Sequence, residues 1–269
     1  MVQISTNGRI SHKMKNLILV KLGGSVITDK SKPFTARTDV IKKLAKQIIK
    51  LKNKNTDLIV GHGSGSFAHT PAAKYAVAEG VTLRDVGLHL DRKIWGFSLT
   101  ADAAIQINRI VVSEFLKLKL KVVSFAPMSF IYEKKIITGH IKKALDIGII
   151  PVIYGDLVMD KKQGFHINSG EATLDLLAKK LSKFYKKIKI IYYTDTNGVY
   201  DANGKTIEKI TPKNFKEIQK YITGSKNTDV TGGMILKVEE SLKLVKSLDA
   251  EIYIMNGLSR GERTKICKN

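Results

Sequence analysis

The feature that most constrains this chain is the regular alternation of apolar, β-prone runs with segments of helical periodicity. A first strand at Leu17–Leu22 is followed by a helix that begins near Thr38 and places its apolar residues on one face. Further strands follow at Asp57–Gly61, Val122–Phe125 and Ile150–Ile153. This alternation predicts an α/β fold: a three-layer αβα sandwich around a largely parallel, open central sheet.

The same alternation continues in the second half of the chain. A helix over 170–182 leads to a strand at Ile188–Thr194. A helix over 232–247 then leads to a last strand at Glu251–Met255. These elements extend the predicted sheet rather than start a new one.

The pattern also predicts how the chain is divided. Residues 1–16 are polar and lack a signal-peptide core, so we expect a flexible tail. We expect two lobes, at 17–168 and 169–269, sharing one continuous sheet. The first lobe contains a long helix, about Arg92–Lys119, and a hairpin at Phe130–Ile137.

A first candidate phosphate site lies in VKLGGSVITDK, residues 20–30. Lys21 ends the apolar strand, and Gly23, Gly24 and Ser25 follow it. Glycines let the backbone approach a phosphate, and their amides then donate to its oxygens. The segment lacks the GxxxxGK[ST] spacing of a P-loop. A simple tight turn explains the same residues.

A second glycine-rich segment, VGHGSGSFAH at 60–69, follows the next strand. Glycines spaced by small residues fit a loop that holds an anion near a helix N-terminus. His69 ends this loop and could donate a hydrogen bond to a substrate oxygen. The alternative is a capping or core histidine.

Three later segments carry charged or glycine-rich turns. In NSGEATLD (168–175), Glu171 falls in the first turn of a helix, where the dipole favours it, and it could also hold lysines in place. TDTNGVYD (194–201) follows a strand and has the composition of a turn. In TDVTGGMILK (228–237), Gly-Gly opens a helix, and Lys237, one turn inside, could reach γ-phosphate oxygens.

The net charge is +22, from 46 basic and 24 acidic residues, which suits a polyanion partner. The lysines are spread over every predicted surface helix, however, and no RNA-binding aromatic motif accompanies them. We therefore expect no nucleic-acid partner, with a basic nucleic-acid-binding module as an alternative. A single cysteine and no apolar run of membrane-spanning length predict a cytoplasmic protein with no membrane contact.

The ordered set of segments resembles the amino acid kinase family. Strand-KLGGS, strand-HGxGSFxH, SGE, TDxxGVY and DVTGGMxxxK occur in that order, and the likeness runs from about Leu17 to about Gly257. KLGGSVITDKS and GSGSFAH are most similar to the archaeal-type branch that phosphorylates isopentenyl phosphate. The loop histidine and the lysine nine residues after Lys21 separate that branch from kinases of glutamate, aspartate or carbamate.

The resemblance implies a catalytic role for five residues. Lys21 and Lys237 would bind the transferring phosphoryl group, and Lys30 would stabilise the transition state. His69 would hold the phosphate of the acceptor. Glu171 matches the acidic residue that orders the lysines.

The resemblance also implies two substrates: isopentenyl phosphate, a prenyl phosphate, in an acceptor-substrate lobe at 17–168, and ATP with Mg²⁺ in a nucleotide lobe at 169–269. The metal would be held mainly by ATP oxygens and water, with no protein ligand. The residues implied for the nucleotide are Lys21, Gly23, Gly24, Ser25, Ser64, Asp195, Gly198, Tyr200, Gly232, Gly233 and Lys237. Those implied for the acceptor are Gly63, Ser64, Ala68, His69, Phe97, Thr100 and Gly155. Aromatic residues at helical spacing, such as Phe97, are also typical of a core.

Some positions depart from the family pattern. Ser64 and Ala68 replace glycines of the acceptor loop, Ala172 replaces a frequent second aspartate, and Asn197 replaces the aspartate of TDxDG. The end, GLSRGERTKICKN, is shorter than the usual final helix and strand, which leaves the last edge of the sheet unassigned.

Other functions remain open at this stage. A kinase of another small phosphate or phosphonate, such as fosfomycin, would share the loop histidine. A non-catalytic nucleotide sensor is also possible, although Lys21, Lys30 and Lys237 are all present. The resemblance further implies a homodimer and a place in isoprenoid biosynthesis, in the mevalonate pathway.

Overall fold

The computed structural model describes residues 14–82, 84–133, 135–224, 233–259 and 261–269. Its strands are β1 (Asn16–Leu22), β2 (Thr56–His62), β3 (Val122–Ser124), β4 (Ile131–Tyr132), β5 (Lys135–Ile136), β6 (Ile150–Tyr154), β7 (Asp156–Asp160), β8 (Gly164–Asn168), β9 (Ile188–Thr194), β10 (Lys209–Ile210), β11 (Ala250–Asn256) and β12 (Arg263–Ile266). Its helices are α1 (Gly24–Ile27), α2 (Thr38–Ile49), α3 (Gly65–Lys74), α4 (Gly87–Lys117), α5 (Pro127–Phe130), α6 (Gly139–Asp146), α7 (Gly170–Leu181), α8 (Phe215–Gly224) and α9 (Gly233–Ser247).

One eight-stranded sheet organises the molecule, with the order β10–β12–β11–β9–β1–β2–β6–β3. The five strands from β11 to β6, and the edge strand β3, pair in parallel. Only the β11–β12 pair in this sheet is antiparallel among the described residues. The hairpins β4–β5 and β7–β8 lie outside the sheet. The predicted α/β fold with a largely parallel sheet is therefore confirmed.

Helices cover both faces of the sheet and make the three layers. Their apolar residues recur every three or four positions, so each helix buries one face against the strands. On one face α2 and α4 contribute Ile41, Leu44, Ile48, Ile107, Val111 and Phe115. On the other face α6, α7 and α9 contribute Ile141, Leu145, Leu174, Leu177, Leu242 and Val245.

Several elements differ from the sequence-based expectation. The long helix α4 begins at Gly87 rather than near Arg92. Side chains hold this first turn, because Asp85 accepts hydrogen bonds from Thr82 and pairs with Lys93 at 3.1 Å. The glycine-rich segment 60–69 is only partly a loop, since α3 starts at Gly65 and carries His69 in its second turn.

The short C-terminal end still completes the sheet. Thr264 and Ile266 of β12 pair with Ile254 and Ile252 of β11, and β10 adds beyond it. The edge that the sequence left unassigned is thus completed by β12 and β10. No helix of the described residues is long and apolar enough to cross a membrane. The boundary between the two lobes stays a prediction.

Candidate active site

Two glycine-rich turns meet at the carboxyl ends of β1 and β2. A Cβ added at Gly24 would lie 2.7 Å from the backbone nitrogen of Gly65, and one added at Gly63 would lie 2.9 Å from that of Gly24. Both distances are shorter than real Cβ contacts, so the two turns touch backbone to backbone. The glycines therefore serve packing as well as any phosphate contact.

Two lysines converge on one glutamate beside these turns. Lys21, the penultimate residue of β1, places its Nζ atom 2.5 Å from Oε1 of Glu171. Lys237, one turn into α9, places its Nζ atom 3.7 Å from the same oxygen. Glu171 lies in the first turn of α7, whose N-terminus is capped by the Ser169 side chain. Three elements thus bring together residues that are far apart in sequence.

The charge of Glu171 is stabilised by this arrangement. Burial alone would raise the pKa of its carboxyl group, but the ammonium groups of Lys21 and Lys237 outweigh it and lower the pKa to about 2. The glutamate is therefore ionised at neutral pH. With two ammonium groups and one carboxylate, the cluster carries a net positive charge.

A polar cavity of about 340 Å³ opens on the α9 side of this cluster. Its walls include Gly23, Gly24, Ser25, Lys30, Asp195 and Met234, together with Lys21 and Lys237. Lys30 is exposed and lies 3.8 Å from the carboxylate of Asp195. Backbone amides and cations on one side make this cavity suitable for a polyphosphate.

A second cavity, of about 550 Å³, opens on the α3 and α4 side. Lys21, Gly24, Ser25 and Lys30 line both cavities, so the two meet at the lysines. The second cavity brings together the residues predicted for the acceptor, with the exception of Phe97: Gly63, Ser64, Ala68, His69, Thr100 and Gly155. Here the Ser64 hydroxyl donates to the Gly155 carbonyl at 2.9 Å.

The far wall of the second cavity is mostly apolar. It is formed by Ala72, Ala104, Leu157 and Ile167. Asp156 is the exception: it is buried, its carboxylate accepts hydrogen bonds from the backbone amides of Leu157 and Met128, and burial raises its pKa to about 6. No cation among the described residues pairs with it.

Four of the described residues predicted at the site, Phe97, Gly198, Tyr200 and Gly233, line neither cavity. Phe97 packs against Phe165, with ring centroids 4.7 Å apart, in an apolar cluster behind Leu157. Gly198 and Tyr200 belong to the turn after β9, where Gly198 lies against Thr264 and the Tyr200 hydroxyl accepts from the Asn197 amide. Their direct substrate contacts are not supported by this arrangement. Gly233 begins α9, and the prediction for Gly232 lies outside the described residues.

Sequence reasoning missed some of the residues that line the site. Thr194 and Met234 join Asp195 and Lys237 around the first cavity, where Thr196 of the predicted segment Asp195–Tyr200 also lies. Asp156 was also missed, although its place directly after Gly155, at the end of a strand, was a usable signal. Met234 carried no signal, because an apolar residue in a helix is ordinarily part of the core.

The whole arrangement suits phosphoryl transfer between two anions. The lysine–glutamate cluster stands where two cavities join, one polar and one with a polar mouth and an apolar wall. Phosphoryl transfer depends on positioning and charge neutralisation more than on covalent chemistry. Cations at such a junction neutralise the negative charge of both reactants and of the phosphoryl group that passes between them.

Comparison with known proteins also indicates a phosphoryl-transfer enzyme. Residues 16–256 match the model of the amino acid kinase family. The isopentenyl phosphate kinase of Methanocaldococcus jannaschii is 32% identical over 250 residues, which cover 90% of this chain and 91% of that protein. The isopentenyl phosphate kinase of Methanothermobacter thermautotrophicus is 31% identical, with 88% and 90% covered. An acetylglutamate kinase of Staphylococcus epidermidis is 28% identical, with 92% and 98% covered.

Solved structures have the same fold. An X-ray structure of an isopentenyl phosphate kinase matches with a TM-score of 0.75 at 26% identity, covering 93% of this chain and 99% of that one. A carbamate kinase from Giardia lamblia, bound to AMP-PNP, matches with a TM-score of 0.61 at 13% identity, covering 95% and 99%, which shows the fold alone.

Proposed function

The chain belongs to the amino acid kinase family, and from this premise we propose that it is an ATP-dependent isopentenyl phosphate kinase. An oxygen of the acceptor phosphate forms a bond to the γ-phosphorus of ATP. The bond from that phosphorus to the β–γ bridging oxygen breaks, and the products are isopentenyl diphosphate and ADP.

One observation carries the proposal: Lys21 and Lys237 share Glu171 at the junction of two cavities. The ionised glutamate keeps both ammonium groups in place but cancels only one of their two positive charges. An anionic phosphoryl group passing between the cavities meets this net positive charge. Preorganised charge of this kind is the largest single contribution to many enzymatic rates.

We assign the lysines to different parts of the transfer. Lys21 and Lys237 would bind the transferring group, and Lys30, which lines both cavities, would neutralise charge between donor and acceptor. The amides of the Gly23–Ser25 turn would bind the nucleotide phosphates. No general base is needed, because a phosphate monoester with a second pKa of about 6 is largely ionised at neutral pH.

The acceptor phosphate would bind at the polar mouth of the second cavity. His69 would donate to it from α3, and the backbone around Gly63 and Gly155 would complete the contact. Mg²⁺ would lower the charge of the ATP phosphates. We propose that this metal is held by phosphate oxygens and water, as is usual for Mg²⁺ bound with a nucleotide.

The walls of the second cavity favour an acceptor with an apolar tail. Ala72, Ala104, Leu157 and Ile167 would surround an isoprenoid chain without offering it a polar partner. Asp156, which is buried in the same wall, would repel an acceptor that carries a carboxylate, such as acetylglutamate. The lining of the second cavity therefore favours the acceptor of the isopentenyl phosphate kinases over that of the acetylglutamate kinases.

The proposed function also has consequences for oligomeric state, metal and pathway. We propose that the chain acts as a homodimer and uses Mg²⁺, in a mevalonate-type route to isoprenoids. The cytoplasmic location stays a prediction from the sequence.

A coupled assay of ADP release tests the function. Purified protein is given ATP with isopentenyl phosphate, dimethylallyl phosphate, fosfomycin or acetylglutamate, each over a range of concentrations. We expect turnover of the prenyl phosphates, with kcat/KM for isopentenyl phosphate well above that for the other two acceptors. Turnover with fosfomycin alone would reject the proposal and support a phosphonate kinase instead.

A further inference from the structure

A second carboxylate on α7, Asp175, lies one turn after Glu171 and is not explained by the proposed reaction. It accepts a hydrogen bond of 3.0 Å from the hydroxyl of Tyr192, a buried residue of β9. Residues four apart on a helix lie on the same face, so Glu171 and Asp175 both face the sheet. Asp175 lines neither of the two cavities.

The two carboxylates meet neighbouring residues of the sheet. Lys21 and Tyr192 are register partners on the paired parallel strands β1 and β9. Lys21 contacts Glu171, and Tyr192 contacts Asp175. Two parallel contacts, one helical turn apart, therefore join α7 to adjacent positions of the sheet.

The first contact depends on the orientation of the helix. The N-terminus of α7 is held by the Ser169 cap and by Gly170, where an added Cβ would lie 2.7 Å from the carbonyl oxygen of His62. Leu174 and Leu177 keep the apolar face of α7 against the sheet, but apolar contacts are non-directional and oppose small rotations about the helix axis only weakly. The Asp175–Tyr192 hydrogen bond opposes such rotation, because the buried Tyr192 hydroxyl would lose its partly buried acceptor, which is costly.

We propose that Asp175 is a positioning residue of the phosphoryl-transfer site: anchored by Tyr192, it holds α7 in the orientation in which Glu171 bridges Lys21 and Lys237. This inference rests on the proposed function, since it assigns the lysines to the transferring group. The charged groups that face Asp175 are Lys179 and Glu171 of its own helix and Glu240 of α9. Burial, the largest effect, raises its pKa to about 7 despite the Tyr192 hydrogen bond.

Three variants test the proposal. Asp175→Ala removes the acceptor of the hydrogen bond, Tyr192→Phe removes the donor, and Asp175→Asn keeps an oxygen that the tyrosine can reach. The chain offers a matched control in Tyr185→Phe, because the buried Tyr185 hydroxyl donates to Asp57 at 2.9 Å, at the opposite ends of the strands. A residue that serves stability alone should behave like this control.

The first readout is independent of the acceptor. The affinities of the full chain for AMP-PNP and for ADP are measured by calorimetry. Since only AMP-PNP has a γ-phosphate, the ratio of its affinity to that of ADP reports how strongly the lysines bind this group. We expect Asp175→Ala and Tyr192→Phe to lower this ratio about tenfold, since a misplacement of about 1 Å is worth up to ~10²-fold in a reacting site. Asp175→Asn and Tyr185→Phe should keep the wild-type ratio.

The second readout is kinetic, at a temperature where every variant is folded. Asp175→Ala and Tyr192→Phe should lower kcat with little change in KM for the acceptor, and the double variant should be no worse than either single one. The proposal is overturned if both single variants keep kcat and the affinity ratio, as Tyr185→Phe does. Should Asp175→Ala fail to fold, Tyr192→Phe and Asp175→Asn decide the same question.

Failure of this inference is distinguishable from failure of the proposed function. If the wild-type chain does not phosphorylate isopentenyl phosphate, the function is rejected, yet a lowered AMP-PNP to ADP ratio in the variants still supports the positioning role. If the wild-type chain turns over isopentenyl phosphate and the variants match it in both readouts, the positioning role alone is rejected.

Discussion

Lys21 is buried beside a carboxylate that it shares with a second lysine, and this is the residue-scale basis of the proposed chemistry. A buried ammonium group is costly unless it is paired, and Glu171 supplies the pair. Because Lys237 contacts the same oxygen, one carboxylate serves two cations. The excess positive charge is then available to a phosphoryl group.

Removal of either lysine should abolish transfer. We expect Lys21→Ala and Lys237→Ala to lower kcat by at least about 10²-fold, the cost of losing one preorganised charge contact to a transition state. The fold should persist, since Glu171 keeps one lysine in each variant. Steady-state kinetics and circular dichroism check this, with the exposed Lys43→Ala as control. Near-normal turnover in both variants would remove these roles.

The stability of the chain should depend on pH through Asp175. Burial raises the pKa of this carboxyl from an ordinary 3.8 to about 7, so the folded state holds a proton that the unfolded state releases. Its contribution to the free energy of unfolding is thus fully present below about pH 4 and is lost as the pH rises through about 7. Asp175→Asn should remove this dependence.

Urea unfolding at pH 5 and pH 8 measures the difference between wild type and Asp175→Asn. We expect wild type to lose stability relative to the variant between the two values. The exposed Asp249→Asn changes the same charge away from this cluster and serves as control. An equal difference at both pH values would show that Asp175 titrates as it does in the unfolded chain.

At this scale the sequence predicts cations and glycines better than it predicts their partners. Lys21, Lys237 and Glu171 could be found because each follows a recognisable strand end or helix start. Asp156 had such a signal in its place after a strand end, but its partner and that of Asp175 could not be read from the sequence. Those partners are Met128, which is 28 residues away from Asp156, and Tyr192 on another strand, and such contacts leave no local pattern.

At the scale of elements, the site depends on the close approach of two turns. Gly24 and Gly63 leave no room for a side chain, because the backbone of the other turn occupies that space. The glycine at the start of α6, Gly139, has no atom within 4 Å of an added Cβ. The two kinds of glycine should therefore respond differently to substitution.

Gly24→Ala should weaken both stability and activity. Its added Cβ would force the β1 and β2 turns apart and misplace Lys21, and we expect a loss of about 1–3 kcal/mol in the free energy of unfolding, as for other overpacked sites. Gly139→Ala should be neutral or slightly stabilising. Thermal unfolding and kcat are measured for both variants. If the two variants match in both measurements, the close contact between the β1 and β2 turns is not needed for stability or activity.

Helix α4 provides a test of the acceptor cavity. It presents Thr100 and Ala104 to the cavity, one turn apart, while the next residue, Ile105, is 47% exposed. Ala104→Phe should fill the apolar wall and lower kcat/KM for isopentenyl phosphate roughly tenfold or more. Affinity for ADP should stay unchanged.

The control for this prediction is Ile105→Phe, which adds an aromatic ring to the same helix outside the cavity. It should leave kcat/KM for isopentenyl phosphate and the affinity for ADP unchanged. An Ala104→Phe enzyme with wild-type kcat/KM would place the isoprenoid chain elsewhere.

The elements themselves were largely predictable, because apolar periodicity of 2 and of 3.6 residues separates strands from helices. The misses have physical causes. Glycine at the start of α3 and α4 indicates a loop, yet Gly65 and Gly87 adopt positive φ at 50° and 54° and lead directly into helices. The strand β12 was unassigned because it has only four residues, RTKI, too few for an alternating apolar pattern to stand out.

At the scale of the whole molecule, one sheet carries both cavities on the carboxyl edge of its parallel strands. β1 stands near its centre, between β2 and β9. Ligands of open α/β sheets bind at this edge, where the connections to neighbouring strands diverge. The fold thus explains why Lys21, at the end of the central strand, lines both cavities.

If the proposed function is correct, this site passes a phosphoryl group from ATP to a phosphate. ³¹P nuclear magnetic resonance of the complete reaction, with the wild-type chain, ATP, Mg²⁺ and isopentenyl phosphate, follows that transfer itself. We expect the acceptor resonance to be replaced by the two coupled resonances of a diphosphate monoester while ADP appears in equal amount. An unchanged acceptor resonance, with ATP intact or converted to ADP and inorganic phosphate, would show that this site does not transfer the phosphoryl group to the acceptor.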